Sequence, residues 1–214
     1  MIILNCKQGS DEWKQARLGI PTASQFSRII TPKTLKPSSS AEGYIYQLVA
    51  EYMLGEPLDD EASDFMLRGT ALEEEAVRWY EFERMEETTE VGFILRDDRR
   101  VGCSPDRLVG DDGGLEVKCP SPAVHIGYLD GNVSEKYRCQ VQGGLWISGR
   151  QWWDVLSYHP LLPKSLIRVE RDEKFIAALE ICMESFLEKL DTVRSKIETL
   201  NSPAQPAPEV SDER

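Results

Sequence analysis

Two segments of the chain carry side chains that can do chemistry together. One is Cys103-Ser104-Pro105-Asp106 and the other is Gly113-Gly114-Leu115-Glu116-Val117-Lys118. Successive side chains on a strand alternate between its faces, so Glu116 and Lys118 point the same way and Val117 points into the core. Asp111-Asp112-Gly113-Gly114 is a strong hairpin signal that lays Asp106 on the partner strand. Asp106 and Glu116 then meet on one face beside the Lys118 ammonium. Two carboxylates at close range repel each other and call for a cation. Their hard oxygens select Mg²⁺ or Mn²⁺. A lysine beside them can hold or polarise a water, or neutralise charge developing on a phosphate. Metal-assisted phosphodiester hydrolysis requires this set of groups. Glu-x-Lys alone is also the pattern of an ordinary cross-strand surface pair. The Pro-Asp before the glycine turn lifts it above that.

The elements that must position these groups read as an α/β domain with a mixed sheet. Ser10 caps a short helix that Leu18-Gly19-Ile20-Pro21 stops, and a second short helix is expected over Gln25–Ile30. Ala41–Leu54 has Ile45, Leu48, Val49 and Tyr52 at helical spacing and ends at Gly55. A longer helix is expected over Ser63–Glu87, with a core stripe of Leu72, Ala76, Trp79 and Phe82 or Glu83. Thr89–Leu95, Arg100–Val109 (broken at Pro105) and Leu115–Cys119 read as a three-strand meander. Ser134–Ile147 reads as a helix, and Gln151–Tyr158 and Ser165–Glu170 as strands. Lys174–Leu200 is a long amphipathic helix through Phe175, Leu179, Cys182, Phe186, Leu190 and Val193. One domain is expected over residues 1–200, and a disordered acidic tail over 201–214, where Pro203, Pro206 and Pro208 lie.

A hydrophobic fraction of 41% supports a single substantial core, and no apolar run is long enough to span a membrane. The N-terminus lacks the pattern of a signal peptide, so a cytoplasmic protein is expected. Cys6, Cys103, Cys119, Cys139 and Cys182 are too dispersed for a disulfide framework or a structural zinc site. His125 and His159 read as structural, and Trp152-Trp153 as core plus one exposed face. The net charge of −12 looks wrong for binding a polyanion, but it is unevenly spread. Residues 56–116 alone carry −12, whereas 1–55 carry +2 and 117–168 carry +3. A nucleic-acid path is therefore expected along the first and third of these segments.

Taken together, these motifs resemble a known family. Ser104-Pro105-Asp106 with Gly114-Leu115-Glu116-Val117-Lys118 matches the PD-(D/E)xK nuclease signature. More closely, the chain resembles the phage lambda exonuclease and YqaJ-like viral recombinase nucleases. Arg17–Ser24, Gly69-Thr70-Ala71-Leu72-Glu73, Cys103–Pro120 and Gln140-Val141-Gln142 with Trp146 match that family's blocks, in order. The resemblance implies a restriction-endonuclease-like core: a central mixed β-sheet flanked by helices. It implies that Asp106, Glu116 and the Val117 carbonyl hold one metal ion, and that Glu73 serves a second. Lys118 would orient or activate the attacking water. Gln142, rather than Gln140, would contact the scissile region or the nucleic-acid terminus. Arg17, Ser24 and Ser104, with Gln142, would bind a 5′-phosphate.

The activity so implied is Mg²⁺-dependent, processive 5′-to-3′ digestion of linear double-stranded DNA to mononucleotides by a two-metal mechanism. It leaves a 3′ single strand for an annealing recombinase partner, and the assembly implied is a ring-shaped homotrimer. Phe65-Met66-Leu67 is either core or a strand-separating wedge. Three rivals stand beside this reading. An iron–sulfur nuclease needs a cysteine cluster that the chain lacks. A catalytically idle DNA-end-binding module would have lost an acid or the lysine, yet Glu73, Asp106, Glu116 and Lys118 are all present. An endonuclease of the same superfamily would not need the phosphate pocket.

Overall fold

The computed structural model describes residues 1–58, 64–131 and 135–201, with the side chains of 64–71 and 136 excepted. The chain starts with β1 (Ile2–Leu4) and α1 (Asp11–Arg17). Ser10 caps α1 as expected, its hydroxyl accepting from the Trp13 amide at 3.3 Å. The second short helix is a 3-10 helix at Ala23–Arg28, two residues earlier than its expected span. A small hairpin of β2 (Ile30–Thr31) and β3 (Lys36–Pro37) leads into α2 (Ala41–Leu54). Gly55 ends α2 in the left-handed region, at φ 71°.

The long helix α3 (Asp64–Arg84) carries its inward stripe on Ala76, Val77 and Tyr80. Phe82 is 77% exposed, which corrects the stripe expected to run through it. The Tyr80 hydroxyl donates to buried Asp154 at 2.8 Å and so sets the phase of the helix. The wedge residues Phe65-Met66-Leu67 lie outside the described side chains. So does the tail beyond Asn201.

The meander is also corrected. The single strand expected over Thr89–Leu95 is two, β4 (Thr88–Thr89) and β5 (Phe93–Leu95), in different sheets. β5 pairs with β1 and with β6 (Gly102–Cys103). Pro105, which has no N–H for a ladder, separates β6 from β7 (Arg107–Val109). β7 turns into β8 (Gly113–Lys118), and an unanticipated helix follows, α4 (Pro122–Leu129). Then come α5 (Glu135–Ser148), β9 (Trp152–Ser157), β10 (Ser165–Glu170) and α6 (Glu173–Asn201).

The central sheet has the order β10-β9-β8-β7-β4. β8 and β9 are parallel and the other pairs antiparallel, so the sheet is mixed, as expected. Helices flank it. Ala76, Val77 and Tyr80 of α3 pack on Val109, Leu115, Val117 and Leu156 on one face. On the other face, Val141 and Leu145 of α5 pack on Trp153 and Val155. Gly114 makes this second contact possible, because a Cβ there would lie 2.4 Å from the Trp153 ring. Beyond α5, the 3-10 helix, α2 and α6 share a further core through Phe26, Leu48, Phe175 and Phe186. Among the described residues, no helix is long and apolar enough to cross a membrane.

Candidate active site

Strand alternation works as the sequence implies. Glu116 and Lys118 project from β8 toward α5 and are paired to each other through Lys118 Nζ and Glu116 Oε1. β7 ends its pairing with β8 at Arg107 opposite Leu115, so the Val117 amide extends past it. Asp106 satisfies that amide, which donates to Asp106 Oδ2 at 2.5 Å. The Asp106 carboxylate is thereby pinned to β8 between Glu116 and Lys118.

Glu73 approaches the same cluster from α3. Its Oε1 lies 3.9 Å from Arg107 Nη1, while Arg107 Nη2 donates to Glu74 at 2.8 Å. Glu73 is the more enclosed of the two acids, at 33% side-chain exposure against 64% for Glu74. Arg107 also donates to the Asp106 carbonyl at 2.7 Å, a tie that no sequence motif signals.

The electrostatics follow from this crowding. Burial, and then the Glu116 charge, push the Asp106 carboxyl well above the usual carboxylate range. Burial likewise raises Glu73, with Glu116 and Glu74 adding to it. Burial disfavours the Lys118 ammonium, but the charges of Glu116 and Asp106 outweigh burial and raise its pKa. Four carboxylates, Glu73, Glu74, Asp106 and Glu116, thus share one lysine and one arginine. Among the described residues, no three such side chains form a ready-made metal cage. The donor set suits a divalent cation through its excess negative charge and hard oxygens.

The expectation for Gln142 is corrected. Its amide donates to the Glu170 carbonyl at 2.8 Å and accepts from the Asp172 amide at 2.9 Å, away from the acids. Gln140 faces the cluster instead, donating to Glu116 Oε1 at 2.6 Å. The helical phase explains this. Tyr137, Gln140 and Gly144 share one face of α5, and the Tyr137 ring centroid lies 5.2 Å from Lys118 Nζ. Gly144, one turn beyond Gln140, was the available signal, since a small residue marks the close-packed side of a helix.

Arg17, Ser24 and Ser104 are brought together, 80 residues and more of sequence notwithstanding. Thr22 bridges Gly102, and the Gly102 amide donates to the Pro21 carbonyl at 3.2 Å, which ties their two segments. Arg17 Nη1 donates to Ser104 Oγ at 3.1 Å. All three residues line one small cavity, whose wall also includes Glu116 and Gln140. Arg17 has no carboxylate within ion-pair distance among the described residues. Burial lowers its pKa from the usual arginine value, against the opposing pull of Tyr44, Glu51 and Cys103. The cavity therefore suits an anion.

Other groups stay out of the chemistry. The five cysteines are free thiols. Burial raises Cys103 and pushes Cys119 up to about 11, so neither is a ready thiolate. His125 is fully buried between Ser157 Oγ and the Pro163 carbonyl, a structural role as expected. Trp153 is core, while Trp152 carries the Arg168 guanidinium on its ring.

Residues 12–151 match the family described as YqaJ-like viral recombinase domain. The alkaline exonuclease LHK-Exo from Laribacter hongkongensis superposes with a TM-score of 0.80 at 34% identity, covering 89% of this chain and 97% of that one. Its complex with dAMP gives 0.79 at 35% identity, with the same coverage. A phage-related exonuclease from Haemophilus somnus 129PT, at 14% identity, shares the fold with a TM-score of 0.67 over 83% of this chain and 96% of that one. The protein ExoD of Escherichia coli (strain K12) is 26% identical over 68 residues, 30% of this chain and 78% of that protein.

Proposed function

The chain belongs to the YqaJ-like viral recombinase family, with a PD-(D/E)xK core, and on that premise we propose that it is a Mg²⁺-dependent 5′-to-3′ exonuclease acting on double-stranded DNA. One observation carries the reading. The anion cavity of Arg17, Ser24 and Ser104 shares Glu116 and Gln140 with the acidic cluster. An end phosphate anchored there lies beside the hydrolytic groups, so cutting starts at an end rather than within the duplex. The relative LHK-Exo is described as an alkaline exonuclease and is known in complex with dAMP, a mononucleotide of the class expected here as product.

Asp106 and Glu116, with the Val117 carbonyl, are assigned to one metal ion and Glu73 to a second. Bound there, Mg²⁺ supplies Lewis-acid polarisation of the phosphate and a more acidic water; Mn²⁺ substitutes. In the metal-free protein the acidic neighbours of Lys118 raise its pKa. It orients or activates the attacking water and stabilises charge developing on the phosphate oxygens. Gln140 takes the place expected of Gln142: its N–H fixes the Glu116 carboxylate. Arg17 offers the end phosphate a fork of donors.

Digestion runs processively to mononucleotides, and the 3′ strand left behind passes to a single-strand-annealing recombinase. The test uses linear duplex DNA with phosphorylated or hydroxyl 5′ ends, in Mg²⁺. The reading predicts mononucleotide products and faster digestion of phosphorylated ends. Long internal fragments from circular as well as linear DNA would make the protein an endonuclease. Retention of DNA ends without any cutting would make it a binding module.

A further inference from the structure

Ser104 Oγ receives two N–H donors. The Trp13 indole Nε1 donates to it at 2.9 Å and Arg17 Nη1 at 3.1 Å. A serine hydroxyl has two acceptor positions and one proton, whereas indole and guanidinium nitrogens only donate. With both acceptor positions filled, Ser104 has only its O–H left to offer. Ser104 lines the small cavity, so that proton is available to an acceptor there.

Trp13 acts on Arg17 as well. Arg17 follows Trp13 by one turn of α1, and its guanidinium carbon stands 4.0 Å from the indole centroid. The Phe93 ring lies 5.7 Å away on the same group. Stacking fixes the plane of the fork and leaves its edge N–H groups for a ligand. The indole is itself held, since its N–H also lies 3.2 Å from the Gly92 carbonyl just before β5.

We propose that Trp13 is a positioning residue which presets Ser104 as a donor and Arg17 as a flat fork, making the cavity selective for a terminal phosphate monoester over a hydroxyl. The inference rests on the phosphate reading above and adds the group that enforces it. Among the described residues, the hydrogen bonds and ring contact of Trp13 reach Ser10, Gly92, Ser104 and Arg17 and none of the acids or Lys118, so its effect belongs in end selection.

The experiment measures binding of 5′-phosphoryl and 5′-hydroxyl duplexes by fluorescence anisotropy in EDTA, and kcat/KM for both ends in Mg²⁺. The proteins are wild type, Trp13→Phe, Ser104→Ala and the double variant, each checked by thermal melting. Phenylalanine keeps a ring beneath Arg17 and lacks the indole N–H. Should it not fold, Trp13→Tyr makes the same comparison. Trp13→Phe and Ser104→Ala should each cut the phosphate preference about tenfold or more, the range for losing a hydrogen bond to a charged group. The double variant should lose no more than the larger single loss, because both changes remove one arrangement. Wild-type preference in Trp13→Phe, or losses that multiply in the double variant, would overturn the proposal. A wild type indifferent to the end phosphate would instead sink the phosphate reading itself, and the inference with it.

Discussion

Asp106 is penalised by burial and by the charge of Glu116, and both act to keep its proton on. Its folded pKa therefore lies above its unfolded one. The folded state holds the proton more tightly, so metal-free protein loses stability as pH rises from the ordinary carboxylate range through the folded pKa. A bound dication reverses that penalty. Asp106→Asn should raise the melting temperature of EDTA-treated protein at neutral pH, and Mg²⁺ should stabilise wild type but not the variant. Equal Mg²⁺ shifts in the two proteins would contradict the assignment of Asp106 to the metal. At this scale much of the site was legible. Alternation along a strand and one glycine turn were enough to group Asp106, Glu116 and Lys118. Trp13 and Arg107 were not legible, because the contacts of Trp13 with Ser104 and of Arg107 with Glu73 and Glu74 join residues far apart along the chain, which no local pattern records.

The helix α5 decides between Gln140 and Gln142. Residues two apart on a helix face opposite sides, so one serves the site and the other the packing. Gln142 satisfies the Glu170 carbonyl and the Asp172 amide at the junction of β10 and α6. Gln142→Ala should cost about 1–3 kcal/mol of stability by leaving those groups unpaired. Gln140→Ala should slow digestion with little change in melting temperature, because its partner is the Glu116 carboxylate. Melting curves and digestion rates on both variants check the division, and the reverse pattern would restore Gln142 to the site. The sequence showed that only one glutamine faces inward, but the phase of α5 is set by its packing on Trp153 and Phe26. The split of Thr88–Leu95 between two sheets was hidden for a similar reason. β1 and β7, the partners of its two halves, lie at distant points of the chain.

At the scale of the whole molecule, a chain of net charge −12 must hold a polyanion through many cycles. A ring of three copies meets that demand by enclosure, gathering the more basic segments 1–55 and 117–168 around a channel. Light scattering should then give a mass three times the 24.3 kDa chain, and a mass near one chain would defeat the ring. Enclosure and end selection both presuppose that the acidic cluster and its lysine perform the hydrolysis. The most direct test of that claim follows the loss of 5′-phosphorylated linear duplex with wild type and Lys118→Ala, in Mg²⁺ and in EDTA. Wild type should digest it only in Mg²⁺. Lys118→Ala should be slowed by about 10²–10⁴-fold while melting as a folded protein. Digestion by wild type in EDTA, or at wild-type rate by Lys118→Ala, would contradict it.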